Sequence, residues 1–232
     1  MVLKPSSMDY QTIIKKLRAA SNPKNVEGMV RFGISSKNTL GVSMPILRKL
    51  GKEIGKNHEL AQELWDSEIH EARILAGLVA DPKKLTEKQM EHWVKDFDSW
   101  DVCDQVCMNL FSKTKIAHRK ALEWTARDEE FVRRTGFALM AALAVHDKKA
   151  SDSKFKVFFP LIEKYSFDER NFVRKAVNWA LRQIGKRNKN LNRAAIFCAQ
   201  KISKKESKSA KWIANDALRE LTGDGVQKRL LR

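Results

Sequence analysis

Phe131-Val132-Arg133-Arg134 and Phe172-Val173-Arg174-Lys175 are one four-residue pattern written twice, 41 positions apart. Each copy opens an amphipathic segment. Thr135, Leu139 and Leu143 follow the first; Ala176, Val177, Ala180, Leu181 and Ile184 follow the second. That three-and-four spacing gives a helix one apolar face. A period near 40 residues is what paired-helix solenoids of the HEAT type show. In such arrays each pair buries its apolar face against its neighbours, and the stack curves around a concave surface. The chain is therefore expected to be all-α: a HEAT-like helical-repeat superhelix of antiparallel helix pairs with a concave basic face, one domain spanning residues 1–232.

Outward from these copies, helix starts recur and strand signals are nearly absent. No run of alternating β-branched residues and no Asn-Gly or Asp-Gly hairpin occurs. Ser7 precedes a segment at Met8–Ala20, and Pro45 opens Ile46–Lys56. Thr86, with Gln89 three residues on, forms a capping box before Met90–Phe97. Asp98 or Ser99, Asp128, Asp168, Asn190, and Ser207 or Ser209 are further expected N-caps. Roughly a dozen helices of about 8–17 residues with short connections are expected.

Charge is the informative part of the composition. Forty-five basic residues stand against 28 acidic ones, a net charge of +17. From Arg182 to Arg232 there are 14 Lys and Arg but only 4 Asp and Glu. Ile196, Phe197, Ile202, Trp212, Ile213, Leu218 and Leu221 punctuate this stretch, which a disordered basic tail would lack. A folded basic face points to a polyanionic partner, nucleic acid first and an anionic membrane surface second. The longest apolar patch, Gly136 to Val145, is far below a membrane span, and Met1 to Tyr10 is too polar for a secretory signal. A soluble, cytoplasmic protein is expected. The three cysteines form no disulfide framework, since Cys103 and Cys107 sit four apart in a helical segment. Neither they nor His58, His70, His92, His118 and His146 fall at metal-ligand spacing. No metal and no cofactor is expected.

Three helices carry residues that their core stripes do not explain. On Asn171–Gly185 the stripe is Phe172, Val173, Ala176, Val177, Ala180, Leu181 and Ile184. Trp179 lies roughly 110° off its centre at 100° per residue. It sits between Lys175 and Arg182, either packed on a neighbouring repeat or presented with two phosphate-binding cations. On Glu130–Val145, Arg133, Arg134 and Phe137 fall outside the stripe, as solvated arginines on a doubly packed helix or as ligand contacts. The third stretch is Ser99-Trp100-Asp101-Val102-Cys103-Asp104-Gln105-Val106. There Asp101 points away from the core in the first turn, where a carboxylate suits the helix dipole. Asp104 borders the core one turn from Trp100, paired with a cation or available for chemistry.

At these helices the sequence resembles the AlkD-type DNA alkylation-repair family, alkylpurine DNA glycosylases built from HEAT-like repeats. Gly41-Val42-Ser43-Met44-Pro45-Ile46-Leu47-Arg48 resembles the family's Gly-Ile-x-x-Pro-x-x-Arg segment, and Trp100-Asp101-Val102-Cys103-Asp104 its Trp-Asp-x-Val-Asp segment. The two repeat copies resemble the helices carrying a DNA-contacting arginine, here Arg134, and a second active-site tryptophan, here Trp179. The resemblance implies Asp104, Trp100 and Trp179 as catalytic residues. With the basic residues around them it points to Arg134, Lys175, Arg182 and Arg48 as DNA contacts. Ser99 and Ser43 depart from the pattern, where the family can carry an aromatic and a glutamine, and this bears on substrate range.

The implied activity is hydrolysis of the N-glycosidic bond of cationic N3- or N7-alkylated purines in double-stranded DNA. It would proceed without flipping the base into a deep pocket, and a monomer is expected. A non-catalytic HEAT-repeat DNA-binding protein is the alternative. A protein-binding scaffold would call for a surface of mixed sign, against the net +17.

Overall fold

The computed structural model describes residues 8–231. Among them are fifteen α-helices, one short 3-10 turn and no strand, so the all-helical expectation holds. Ser7 lies outside the described residues. The chain divides into two compact units, the boundary falling between Thr114 and Lys115.

The first unit holds α1 (Tyr10–Ala19), α2 (Pro23–Arg31), α3 (Met44–Ile54), α4 (His58–Asp66), α5 (His70–Val79), α6 (Glu87–Lys95) and α7 (Trp100–Asn109), closed by the 3-10 turn Phe111–Lys113. At its centre α5 packs on α3, α4 and α7. It can do so because it is apolar on nearly every side, with Ala72, Ile74, Leu75, Ala76 and Val79 all buried. Gly77 lets α7 come close: a Cβ there would lie 3.1 Å from the Val106 side chain. The Thr86–Gln89 capping box forms at the start of α6, and Pro45 sits in the first turn of α3. The C-terminal carbonyls of α5 are closed by Lys56, whose Nζ donates to Leu78 and Ala80 at 2.8 Å each.

The second unit holds α8 (Ala117–Thr125), α9 (Glu130–His146), α10 (Asp152–Lys156), α11 (Phe159–Tyr165), α12 (Asn171–Gly185), α13 (Lys189–Ser203), α14 (Lys208–Leu221) and α15 (Asp224–Leu231). The two helices bearing the repeated pattern, α9 and α12, share the most extensive packing in this unit. The rings of Phe131 and Phe172 stack at 5.6 Å, so equivalent positions of consecutive repeats meet.

A third copy follows that the four-residue signature did not reveal. Val173, Ala176, Val177, Ala180, Leu181 and Ile184 on α12 recur as Ala210, Ile213, Ala214, Ala217, Leu218 and Leu221 on α14, an offset of 37 rather than 41. All but Leu218 are buried. What repeats is the buried register; the Phe-Val-Arg opening is lost in α14, and the repeat period is four residues shorter.

Two expectations for this unit change. Arg133 and Arg134 are not solvated: the helix is packed on two sides as expected, by α8 and α12, and both arginines are buried along with Phe137. Gly136 permits that approach, since a Cβ there would stand 2.6 Å from the Thr125 backbone nitrogen. Asp128, Asp168 and Asn190 do not cap helices. Asp128 and Asp168 are drawn into pairing with Arg133, at 2.8 and 3.1 Å, and Asn188 rather than Asn190 caps α13.

Candidate functional site

Helix α7 presents the Trp-Asp segment. Val102, Cys103, Val106 and Cys107 form its buried face, as their spacing requires. Trp100 opens the helix half-exposed, and its indole Nε1 donates to the Phe32 carbonyl at 3.0 Å. Asp104 follows one turn later and is half-buried.

Asp101 stands in the first turn of α7, as expected, but has partners there that the sequence did not reveal. Its Oδ2 lies 2.8 Å from His70 Nε2, and its Oδ1 accepts from the Ser99 hydroxyl at 2.5 Å. Ser99, 1% exposed, thus begins α7 without capping its backbone. The neighbouring Glu71, also 1% exposed, accepts backbone N–H groups from Leu40 (2.9 Å), Gly41 (2.6 Å) and Val42 (3.2 Å). Only glycine fits at position 41: its φ is +74°, and a Cβ would lie 2.2 Å from the Asn22 carbonyl oxygen. Thus α5 supplies two side chains that fix both sequence segments named above. They border a cleft of about 430 Å³ whose lining includes Met29, Phe32, Ser43, His70, Trp100 and Asp101. The cleft and this buried pairing were not legible, because His70 and Asp101 are 31 residues apart on different helices.

The pair has a pH signature. Burial alone would lower the His70 pKa, but the hydrogen bond and charge of Asp101 outweigh it and hold the imidazole above its ordinary 6.5. Burial would raise the Asp101 carboxyl, yet His70 and Ser99 hold it below 3.8. A raised histidine contributes stability below its unfolded pKa and loses it as pH climbs through the folded value. A lowered aspartate contributes above its unfolded pKa and loses it as pH falls through the folded value. Both contributions are complete between 3.8 and 6.5. Thermal unfolding midpoints should therefore fall as pH rises from about 6 to about 9, and His70→Gln should flatten that fall. Parallel curves for the two proteins would exclude the pair as their cause.

The other expected site residues differ in how they are engaged. Arg48 on α3 and Lys175 on α12 are exposed. Trp179 is half-exposed, in keeping with its place off the α12 stripe. Arg134 is 4% exposed, and its Nη1 donates to the Phe172 carbonyl at 2.5 Å. Arg182 meets Glu220 at 2.5 Å and Asp216 at 3.5 Å. Other cations close helices: Arg187 donates to the carbonyls of Ala144 (2.7 Å) and Asp147 (2.8 Å) at the end of α9. Part of the basic excess therefore serves the fold.

Among the described residues no group of three or more His, Cys, Asp or Glu could hold a metal ion, and no helix is long and apolar enough to cross a membrane. All three cysteines are buried, and burial pushes the Cys198 thiol up to about 12. At that value it is not a nucleophile near neutral pH.

Stacked helix pairs with a Trp–Asp helix in one unit and a Trp–Lys–Arg helix in the other define a basic helical-repeat protein. The chain belongs to the DNA alkylation repair enzyme family, whose profile matches residues 13–221. An uncharacterized protein of Listeria innocua is 25% identical over 134 residues, covering 56% of this chain and 60% of that protein. One from Listeria monocytogenes is 27% identical over 134 residues, with the same coverage. The matches thus span about 60% of these relatives' length. A solved structure matches with a TM-score of 0.78 at 22% identity, covering 93% of this chain and 97% of the other. It comes from work on a new family of proteins related to the HEAT-like repeat DNA glycosylases with affinity for branched DNA structures. At that identity the likeness shows the fold, an all-α helical repeat of the HEAT-like kind.

Proposed function

We propose that this protein is a DNA glycosylase that hydrolyses the N-glycosidic bond of cationic N3- or N7-alkylated purines in duplex DNA, acting as a cytoplasmic monomer. The observation that carries this reading is the outer face of α7, where a half-exposed indole and a half-buried carboxylate stand one turn apart in a member of a DNA alkylation repair family. An alkylated purine of this kind already carries positive charge, so it leaves as a neutral base and needs no general acid. As the bond breaks, positive charge builds on the sugar, as in other oxocarbenium-like transition states. Asp104 stabilises that charge and orients the attacking water. The faces of Trp100 and Trp179 add cation–π attraction. Nothing in this chemistry requires a deep pocket for the base.

The two units supply different parts: Asp104, Trp100 and Arg48 come from the first, and Trp179, Arg134, Lys175 and Arg182 from the second. Exposed Arg48 and Lys175 contact phosphates directly. Arg134 and Arg182, engaged internally, contribute charge behind them. That the two units act as one functional domain is part of the proposal.

Incubation with a duplex carrying one 7-methylguanine, followed by alkali, should yield strand cleavage at the abasic site. A matched uracil duplex should stay intact, because uracil leaves as an anion and gains nothing from a site without an acid. Steady uracil release would contradict the mechanism. The net charge of +17 equally supports one other reading, a non-catalytic DNA-binding repeat protein. Tight, salt-sensitive duplex binding without base release would select it.

A further inference from the structure

Helices α12 and α14 pack side by side, and three pairs of residues face each other across them, each 38 positions apart: Arg174 with Trp212, Asn178 with Asp216, and Arg182 with Glu220. The second and third pairs are joined by a hydrogen bond or an ion pair to a carboxylate, although Asn178 Oδ1 and Arg182 Nε are buried without a hydrogen-bond partner. Asn178 Nδ2 donates to Asp216 at 2.7 Å, and Glu220 takes both Arg182 (2.5 Å) and Lys186 (2.6 Å). The first pair is built differently. The Arg174 guanidinium lies over the Trp212 ring, 5.2 Å from its centroid, and no carboxylate meets it among the described residues. Its hydrogen bond is a long one, 3.4 Å to the Asn171 side chain, and its Nε is buried with no partner. Nearby acids are turned elsewhere: Glu169 accepts from Ser207 and Ser209, and the exposed Glu206 reaches only Lys211, at 3.5 Å.

Trp212 is 39% exposed, a large amount for an indole already covered on one side by an arginine. It belongs to an exposed stripe with Lys208, Lys211 and Asn215, spaced as one face of α14. A flat aromatic with a cation behind it and cations beside it is the arrangement on which unpaired bases stack while their phosphates are held. A paired base cannot use it, because both its faces are already covered within the duplex.

We infer that Trp212, backed by Arg174, is a stacking platform for one unpaired base of a single-stranded DNA segment, with Lys208 and Lys211 taking the flanking phosphates. This rests on the DNA-binding part of the proposed function and adds a preference for DNA in which a duplex adjoins an unpaired strand.

Fluorescence anisotropy with a plain duplex and with the same duplex bearing a single-stranded tail tests it. Wild type should bind the tailed DNA roughly 5- to 150-fold more tightly, the range one stacked base supplies. Trp212→Ala should erase that advantage and leave plain-duplex affinity and base release unchanged; Trp212→Phe should keep part of it. A 2-aminopurine in the tail should be quenched on binding to wild type, and less so with Trp212→Phe. That comparison decides the matter if the Ala variant does not fold by its helical circular dichroism. Equal affinity for tailed and plain duplex, or an advantage that survives Trp212→Ala, overturns the platform alone. Failure to bind either DNA overturns the DNA-binding reading along with it.

Discussion

Replacing Asp104 with Asn should slow release of 7-methylguanine roughly 10²-fold or more while leaving duplex affinity unchanged or improved. The direction follows from charge. A carboxylate beside a DNA strand repels phosphates in the ground state and is useful only when cationic character appears on the sugar. Asparagine keeps the shape and a hydrogen-bonding oxygen but loses the field. Asp101 is the control that separates chemistry from architecture, because it lies in the same turn but is bound to His70 and Ser99. Asp101→Asn should lower the thermal midpoint, whereas Asp104→Asn should lower turnover. Single-turnover rates with excess protein, set beside unfolding curves for both variants, check this. Equal turnover in wild type and Asp104→Asn would remove the carboxylate from the mechanism.

Local pattern carried the fold a long way. The repeated Phe-Val-Arg opening led to α9 and α12, and the Thr86–Gln89 box lies where its spacing put it. What escaped was whatever depends on partners distant in sequence. Arg133 looks like a surface cation on a helical wheel, but the buried one of its two acids arrives from the loop before α12, 35 residues on. The third repeat escaped because a search for polar and aromatic signature residues cannot see a register preserved only in Ala, Val, Leu and Ile. In the candidate site, Trp100 and Asp104 were legible as an unusual pair on one helix. The cleft beside Trp100 was not, since most of its wall comes from the α2–α3 region and from α5. The charge was legible in amount but not in use. Lys56, Lys205 and Arg187 terminate helices, as their donation to backbone carbonyls shows, so net charge overstates the cations open to phosphate.

Asp168→Ala should lower the stability of the second unit by about 3–5 kcal/mol, a large share of the roughly 5–15 kcal/mol that holds a folded domain. The Asp168 side chain is 5% exposed and is met from two sides, by Arg133 Nη1 at 3.1 Å and by Arg170 Nη2 at 2.6 Å. Its backbone carbonyl accepts from the buried Ser209 hydroxyl at 2.8 Å, so the loop ties α9, α12 and α14 together. Arg133 is equally committed: its Nε donates to the Thr125 carbonyl at 3.1 Å and its guanidinium lies 4.6 Å from the centre of the Tyr165 ring. Removing the acid would leave the buried guanidinium only Asp128, whose side chain is fully exposed, and the loss of its buried counter-charge is what makes the effect large. Arg170, a third exposed, can turn to water, so Arg170→Ala should cost far less. Burial alone would raise the Asp168 carboxyl, but hydrogen bonds from Arg170 and Arg133 hold it below its ordinary 3.8. Its contribution is therefore present above 3.8 and lost as pH falls through the depressed folded value, which makes this loop an early site of acid unfolding. A Arg133→Met, Asp168→Leu double variant should recover most of the loss, since an apolar pair of similar volume leaves no charge behind. Urea unfolding of the singles and the double decides it: if the double variant is as unstable as the sum of the singles, the loss comes from packing and not from a stranded charge.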